Sequence, residues 1–144
     1  MRQRTLLSTI PSDSHSWNLV YLQLLLEEIG HEVINVGTCV PVDVLIQKCH
    51  QYKPHNVVIS SVNGHGYLDG LKMIRAMKKC PILRNIRVVI GGKLGIQGCD
   101  SKDYEADLLS EGYNAVFSEK EIPKFVNMMT DDIGTNNQKN RIVT

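Results

Sequence analysis

The chain has 144 residues, of which 42% are hydrophobic and 22% are charged, and its formal net charge is +1. This size and composition predict one globular domain that buries its own core. The small net charge and the scattered basic residues argue against a nucleic-acid-binding protein. The first apolar run is too short for a signal-peptide core or a membrane span, so we expect no membrane association.

The cysteine pattern argues against a zinc site or a thioredoxin-like redox site. The four cysteines are widely spaced and no CxxC pair is present; they are Cys39, Cys49, Cys80 and Cys99. We therefore expect free thiols that are buried or half-buried. Free thiols are typical of a reducing compartment, which predicts a cytoplasmic protein.

Apolar periodicity predicts five strands that alternate with five helices. In chain order the predicted elements are strand Thr5–Ile10, helix Trp17–Ile29, strand Glu32–Val36, helix Pro41–Tyr52, strand Asn56–Ser60, helix Tyr67–Lys79, strand Ile86–Ile90, helix Ser101–Glu111, strand Asn114–Phe117 and helix Glu121–Met129. Gly30 is a candidate C-cap and Ser101 a candidate N-cap. The third helix is expected to face the core with Leu68, Leu71, Ile74 and Met77.

Strict alternation of strands and helices predicts an α/β fold. Right-handed crossovers and five strands favour a flavodoxin-like, doubly wound parallel sheet in the order 2-1-3-4-5. The predicted domain covers residues 1–130. Residues 131–144 are polar and are expected to form a flexible tail.

Three loops stand out because each follows a strand of this predicted sheet. They contain Asp13-Ser14-His15-Ser16, Ser60-Ser61-Val62 and Gly91-Gly92. In the order 2-1-3-4-5, strands 1, 3 and 4 are neighbours, so these loops meet at one edge. That edge, at the carboxyl ends of the strands, is where open α/β sheets bind ligands. We therefore expect one ligand to contact all three loops.

The loop residues narrow the class of ligand. A phosphorelay receiver needs an aspartate after strand 3, where this chain has Ser60, and the GxGxxG motif of a dinucleotide site is absent after strand 1. Asp13 would repel the phosphate of a flavin. His15 remains as a base or a transition-metal ligand, with Asp13 as a carboxylate for its other nitrogen. The alternative is that Asp13 caps the first helix and His15 is a surface residue.

The same residues resemble the cobalamin-binding domain family, whose pattern is DxHxxG, then SxL, then GG. Asp13-x-His15, Ser60-x-Val62 and Gly91-Gly92 match it at the family's separations, and the resemblance runs from Thr5 to about Met129. Within that family the chain is similar to the small subunits of glutamate mutase (methylaspartate mutase). That likeness lies in the stretches 36–37, 60–70 and 111–114.

The resemblance implies a role for each of these residues. His15 would be the lower axial ligand of cobalt in adenosylcobalamin, and Asp13 would bond its far nitrogen. The displaced nucleotide tail would enter a pocket between the sheet and its helices. Ser60 would bond the benzimidazole, and Gly91 and Gly92 would let the tail approach the backbone. Ser14, Ser16 and Val62 complete the implied cofactor site. A capped strand end and a tight turn are the structural alternatives for the serine and the glycines.

The resemblance also implies a partner. This chain would present the cofactor to a larger TIM-barrel catalytic subunit that converts glutamate to 3-methylaspartate, and it would carry no catalytic residue itself. The alternative is a cobalamin-binding carrier or sensor module without mutase activity. Two positions depart from the family pattern: Asn18 replaces its glycine and Val62 its leucine. The change at Asn18 also raises the idea of a domain that has lost cobalamin.

Overall fold

The computed structural model describes residues 3–62, 65–93, 101–118 and 120–130. Strands and helices alternate as predicted, with one additional short 3-10 helix. The strands are β1 (Arg4–Thr9), β2 (Glu32–Gly37), β3 (Asn56–Ser61), β4 (Arg87–Gly92) and β5 (Ala115–Ser118). The helices are α1 (Ser16–Ile29), α2 (Val42–Tyr52), α3 (Gly66–Lys78), α4 (Ser101–Glu111) and α5 (122–130), and the 3-10 helix spans Pro81–Asn85.

All strand pairs are parallel, and the order is β2-β1-β3-β4-β5. The predicted flavodoxin-like fold class and strand order are therefore confirmed. Ser60 pairs with Thr9 on one side and with Gly91 on the other. This register places the ends of β1, β3 and β4 side by side, so the loops that follow them share one edge of the sheet.

Successive residues of the central strands point to opposite faces of the sheet and pack into two separate cores, as expected for a sheet covered on both faces. Leu7, Val58 and Val89 pack with residues of α1 and α5 on one face. Leu6, Val57 and Val88 pack with residues of α2, α3 and α4 on the other. The α1–α5 face is the one that borders the candidate site described below.

The predicted core face of α3 is confirmed at Ile74 and Met77, and Leu71 packs half-buried against the same core, but Leu68 differs from the prediction. Leu68 is exposed, and the buried positions are Gly66, Gly70, Met73, Ile74 and Met77. The absence of a side chain at Gly70 lets the helix lie close to the sheet, because a Cβ there would lie 2.7 Å from Ile90 Cδ1. A stripe of large apolar residues does not reveal a contact made by a glycine.

Helix ends also differ in detail from the prediction. Gly30 is the left-handed C-cap of α1, as expected, with φ 115°. Ser101 is the first residue of α4 rather than its N-cap. Cys39 is exposed, against the expectation of covered thiols, while Cys49 is buried and Cys80 is half-buried.

Some sequence-based expectations fall outside the described residues. They concern the tail over 131–144 and Cys99. Within the described part of the chain, no helix combines the length and apolar character needed to cross a bilayer.

Candidate functional site

The structure joins Asp13 and His15 in a direct side-chain contact at the carboxyl edge of the sheet. His15 Nδ1 lies 2.6 Å from Asp13 Oδ1, and the same oxygen accepts the His15 backbone N–H at 2.9 Å. The Asp13 side chain is fully buried, whereas that of His15 is 55% exposed. A carboxylate that accepts backbone N–H groups favours the neutral tautomer with the ring proton on Nδ1, and in that tautomer Nε2 carries the lone pair.

Asp13 also joins the loops that follow β1 and β3. Its second oxygen, Oδ2, accepts the Val62 backbone N–H at 2.5 Å. The carboxylate therefore connects His15 to the segment that contains Ser60 and Val62. Because charge-assisted bonds of this kind are strong, they fix the two loops relative to each other.

The Asp13 backbone is held from a third direction. Its carbonyl oxygen accepts the Thr9 hydroxyl and the Cys39 backbone N–H, both at 2.9 Å. Thr9 Oγ1 in turn accepts that same N–H at 2.9 Å. Cys39 has a φ of 51°, a left-handed conformation that non-glycine residues rarely adopt. Sequence patterns did not reveal Thr9 or Cys39 as supports of the site, because both contacts are tertiary.

A cavity of about 290 Å³ opens between the sheet, α1 and α5, and Val62, which donates to Asp13, connects it to this pair. Its lining is mostly apolar with a few polar groups, which is typical of small-molecule sites. The lining residues are Asn18, Tyr21, Leu22, Val58, Ile59, Ser60, Val62, Val89, Gly91, Gly92, Phe117, Ser118, Ile122 and Phe125. Four predicted site residues, Ser60, Val62, Gly91 and Gly92, thus meet in one cavity.

Gly91 and Gly92 are glycines for different structural reasons. Gly92 has a φ of 105°, and a Cβ there would lie 2.0 Å from the Ser61 carbonyl oxygen. Glycine is therefore required at residue 92 by the backbone itself. A Cβ at Gly91 would meet Phe117 O at 3.2 Å, a tight but less severe contact. The tight-turn interpretation therefore explains Gly92. At Gly91, the absence of a side chain leaves space in the cavity that it lines.

The remaining predicted positions lie at the rim. Ser14, on the loop that holds His15, and Ser16, the first residue of α1, are both exposed, and neither lines the cavity. Ser61 is committed elsewhere, since its hydroxyl donates to the Lys93 carbonyl at 2.7 Å. Asn18 lies inside α1 and lines the cavity, and its φ is not positive. A left-handed backbone is thus not what this position requires.

The end of β5 and the first turns of α5 close the far side of the cavity. The Ser118 backbone N–H donates to Glu121 Oε1 at 2.8 Å. This bond, together with the Lys124 ammonium at 3.1 Å, holds the pKa of Glu121 below its ordinary value. Ser118, Ile122 and Phe125 from this region line the cavity. Sequence reasoning missed them, although the predicted strand order brings α5 beside α1.

The fold and the carboxyl edge of the sheet together indicate the class of protein. The sheet is that of a flavodoxin-like domain with the Asp13–His15 pair and a ligand-sized cavity at its carboxyl edge. A solved cobalamin-binding protein from Desulfitobacterium hafniense shares this fold, with a TM-score of 0.67 and 23% identity. The match covers 82% of this chain and 53% of that one, so the chain spans about half of that protein's length.

The family follows from the sequence itself. The B12 binding domain family matches residues 3–113, and the chain belongs to it. A glutamate mutase sigma subunit from Escherichia coli O157:H7 is 28% identical over 147 residues, covering 100% of this chain and 95% of that subunit. One from Fusobacterium nucleatum is 26% identical over 118 residues, covering 81% and 85%. The chain is thus a cobalamin-binding domain similar to the small subunit of glutamate mutase.

Proposed function

We propose that His15 is the lower axial ligand of a bound cobalamin and that this chain presents the cofactor to a larger catalytic subunit. The observation that carries the proposal is the Asp13–His15 pair beside the cavity at the carboxyl edge. Neutral imidazole suits cobalt, and a carboxylate on its second nitrogen raises its basicity. Asp13 thereby holds the ring proton at Nδ1 and leaves Nε2 for the metal.

The size of the cavity supports a binding mode in which only the nucleotide tail of the cofactor is enclosed and the corrin lies outside. Pockets that enclose a whole drug-sized ligand span about 300–1,000 Å³. A cavity of about 290 Å³ is too small for a cobalamin but suits its nucleotide tail. The corrin would then lie over the edge, next to His15. Ser60 supplies a hydroxyl for the base, and Gly91 leaves its wall free of a side chain.

We further propose adenosylcobalamin as the cofactor and the conversion of glutamate to 3-methylaspartate as the reaction. The supporting observation is the similarity to sigma subunits of glutamate mutase over nearly their whole length. When bound, adenosylcobalamin supplies a carbon radical by homolysis of its cobalt–carbon bond. The residues of this chain bind and orient the cofactor, and a larger TIM-barrel subunit holds the substrate.

A carrier or sensor module without mutase activity is the second candidate. The fold similarity to a protein described only as cobalamin-binding favours it. Asn18, at the wall of the cavity, is the position that departs from the family glycine. Turnover of glutamate by this chain together with a large mutase subunit separates the two candidates, because a carrier or sensor would bind cobalamin and give no turnover.

The first test is a spectroscopic titration of the chain with hydroxo- and adenosylcobalamin. We expect saturable binding, and in the cob(II)alamin form an electron paramagnetic resonance spectrum with nitrogen splitting from histidine. Labelling the protein with ¹⁵N-histidine should convert that splitting from a triplet to a doublet. His15→Ala should remove the protein-derived splitting.

The matched control is His50→Ala, which removes another exposed histidine, on α2. It should leave binding and splitting unchanged. Retention of the ¹⁵N-sensitive splitting in His15→Ala would disprove the ligand assignment. Absence of binding by the wild-type chain, alone and with the large subunit, would disprove the cofactor assignment.

A further inference from the structure

Large apolar side chains on α1 lie in solvent along one face of the helix. Trp17, Val20, Tyr21 and Leu24 follow the spacing i, i+3, i+4, i+7, which places them in one row, the α1 stripe. Trp17 is 83% exposed and Leu24 is 63% exposed. The opposite face of α1 buries Leu19 and Leu26 in the core. The helix therefore has two apolar faces, and only one of them is covered within the chain.

The size of the stripe indicates a part of an interface rather than a whole one. With about 150–250 Å² for an aromatic side chain, the exposed portions amount to roughly 400 Å². The largest apolar patch of a typical monomer covers about 300–600 Å² and is often functional. A stable interface needs about 800 Å² from each partner. The stripe thus supplies about half, and a self-associated dimer would need further contacts.

The missing part lies next to the stripe. Tyr21 belongs to the stripe and also lines the cavity. Trp17 follows His15 by two residues at the carboxyl edge. A partner that covers the proposed cofactor from above would therefore reach the N-terminal end of the stripe without a break.

The charges around the stripe indicate the chemistry of that partner. From Thr5 to Gln47 the sequence contains no lysine or arginine. Glu27 and Glu28 are exposed in the last turn of α1, which has no basic residue. The helix dipole disfavours carboxylates at this end. Such a local conflict is typical of a functional surface, and basic groups from a partner would relieve it.

A protein groove fits these observations better than a lipid surface. Amphipathic helices that bind membranes carry lysine and arginine beside the apolar face. Here the flank is acidic, and an anionic leaflet would repel it. A helix that presents i, i+3, i+4 and i+7 anchors, with Trp and Tyr among them, is typical of helix-in-groove recognition.

We propose that the α1 stripe docks into an apolar groove with a basic rim on the large catalytic subunit, so that one partner covers both the cofactor edge and α1. The proposal rests on the function proposed above, which supplies the partner. It adds a surface that the cofactor itself does not define. Leu24 lies about 10 Å along the helix from Trp17 and away from the cofactor edge.

Trp17 is the chain's single tryptophan and gives a direct probe. The chain is labelled with 5-fluorotryptophan, loaded with hydroxocobalamin and titrated with the unlabelled large subunit of glutamate mutase from the same organism. We expect the ¹⁹F resonance to shift and to lose its H₂O/D₂O isotope shift as the indole leaves water. Addition of cobalamin without the subunit should leave the isotope shift in place.

Variants test whether the stripe supplies binding energy. Leu24→Asn and Trp17→Ala should each raise the Kd for the large subunit by at least about tenfold. The control Leu109→Asn changes an exposed leucine on α4 and should stay within about twofold. Glu27→Gln with Glu28→Gln should weaken binding about threefold and reduce its salt dependence, whereas Asp43→Asn on α2 should not. Circular dichroism and thermal melts check that each variant folds.

Cobalamin binding by the same variants, measured without the large subunit, tests the proposed function. It does not test the role of the α1 stripe. Unchanged affinity of Leu24→Asn and Trp17→Ala for the large subunit would disprove the docking proposal while leaving the cofactor assignment intact. Loss of the isotope shift with cobalamin alone, with rising concentration of the chain alone, or with phosphatidylcholine–phosphatidylglycerol vesicles would assign the stripe to another occupant and overturn it. Absence of binding by the loaded chain to the large subunit would do the same.

Discussion

The two edges of the sheet each hold a histidine, and they use it differently. At the amino edge, His31 is fully buried, with Nδ1 2.8 Å from the Thr5 hydroxyl and Nε2 3.1 Å from the Met129 carbonyl. At the carboxyl edge, His15 bonds Asp13 through Nδ1 only, and its side chain is about half exposed. A histidine with both nitrogens bonded holds structure, whereas one with an open nitrogen can take a ligand.

The same contrast applies to the cavities. The cavity at the amino edge measures about 430 Å³, larger than the one beside His15. Several of its polar groups are already engaged: Asn56 donates to Gln3, Arg87 donates to Asn56, and His55 Nδ1 accepts the Arg4 backbone N–H. Volume alone therefore does not identify the functional edge. Three predictions test this contrast and one tests the backbone of the carboxyl edge alone; they run from the largest expected effect to the smallest.

Thiol reactivity should separate the edges most strongly. Cys49 lines the amino-edge cavity, and burial, with a smaller contribution from Cys80, raises its pKa to about 12. Only about one thiol in ten thousand is then ionised at pH 8. Cys39, exposed at the carboxyl edge, should be alkylated by iodoacetamide at least about a hundredfold faster. Mass spectrometry of the labelled peptides measures the ratio, and similar rates would show that the amino edge is open.

Gly92→Ala should cost at least about 3 kcal/mol of unfolding free energy. The new Cβ would collide with the Ser61 carbonyl at a positive φ. The control Gly91→Ala meets Phe117 O at 3.2 Å and should cost about 1 kcal/mol. Urea denaturation of both variants gives the difference. Equal stabilities would contradict the backbone requirement at residue 92.

The paired histidine variants address the contrast directly. His31→Ala should lower the unfolding free energy by about 3 kcal/mol, because it leaves a cavity and two unsatisfied polar partners. His15→Ala, at an exposed side chain, should change it by no more than about 1 kcal/mol. The folded fraction of His31→Ala should keep its cobalamin titration. A reversal of the two stability effects would break the comparison.

Two buried threonines give the finest test. Thr5 Oγ1 accepts from Asn56 and contacts His31, and Thr9 Oγ1 donates to the Asp13 carbonyl. Thr5→Val and Thr9→Val should each cost about 1–2 kcal/mol, since each leaves buried partners unsatisfied. Only Thr9→Val should weaken cobalamin binding, because it loosens the backbone that holds Asp13. Equal effects on binding would show that the edges are not separate.

Most of the fold could be predicted because its signals are local. Continuous apolar runs identified the buried strands, and their alternation with helices predicted a parallel sheet. Because crossover connections between parallel strands are right-handed, few strand orders remain possible. The errors fell where a contact is not visible in a pattern. The core face of α3 is set by the fit of Gly70 against Ile90 and Leu108, so Leu68 turns to solvent.

The sequence by itself determined the residue types that can do the chemistry: a carboxylate two positions before an imidazole, a serine near the end of β3 and a glycine pair at the end of β4. Only the tertiary structure decided how they are used. It buried Asp13, aimed its two oxygens at His15 and Val62, and placed α1 and α5 around a cavity. The physical reason is that chain spacing fixes which loops can meet, while hydrogen-bond partners and burial depend on the packing of elements distant in sequence.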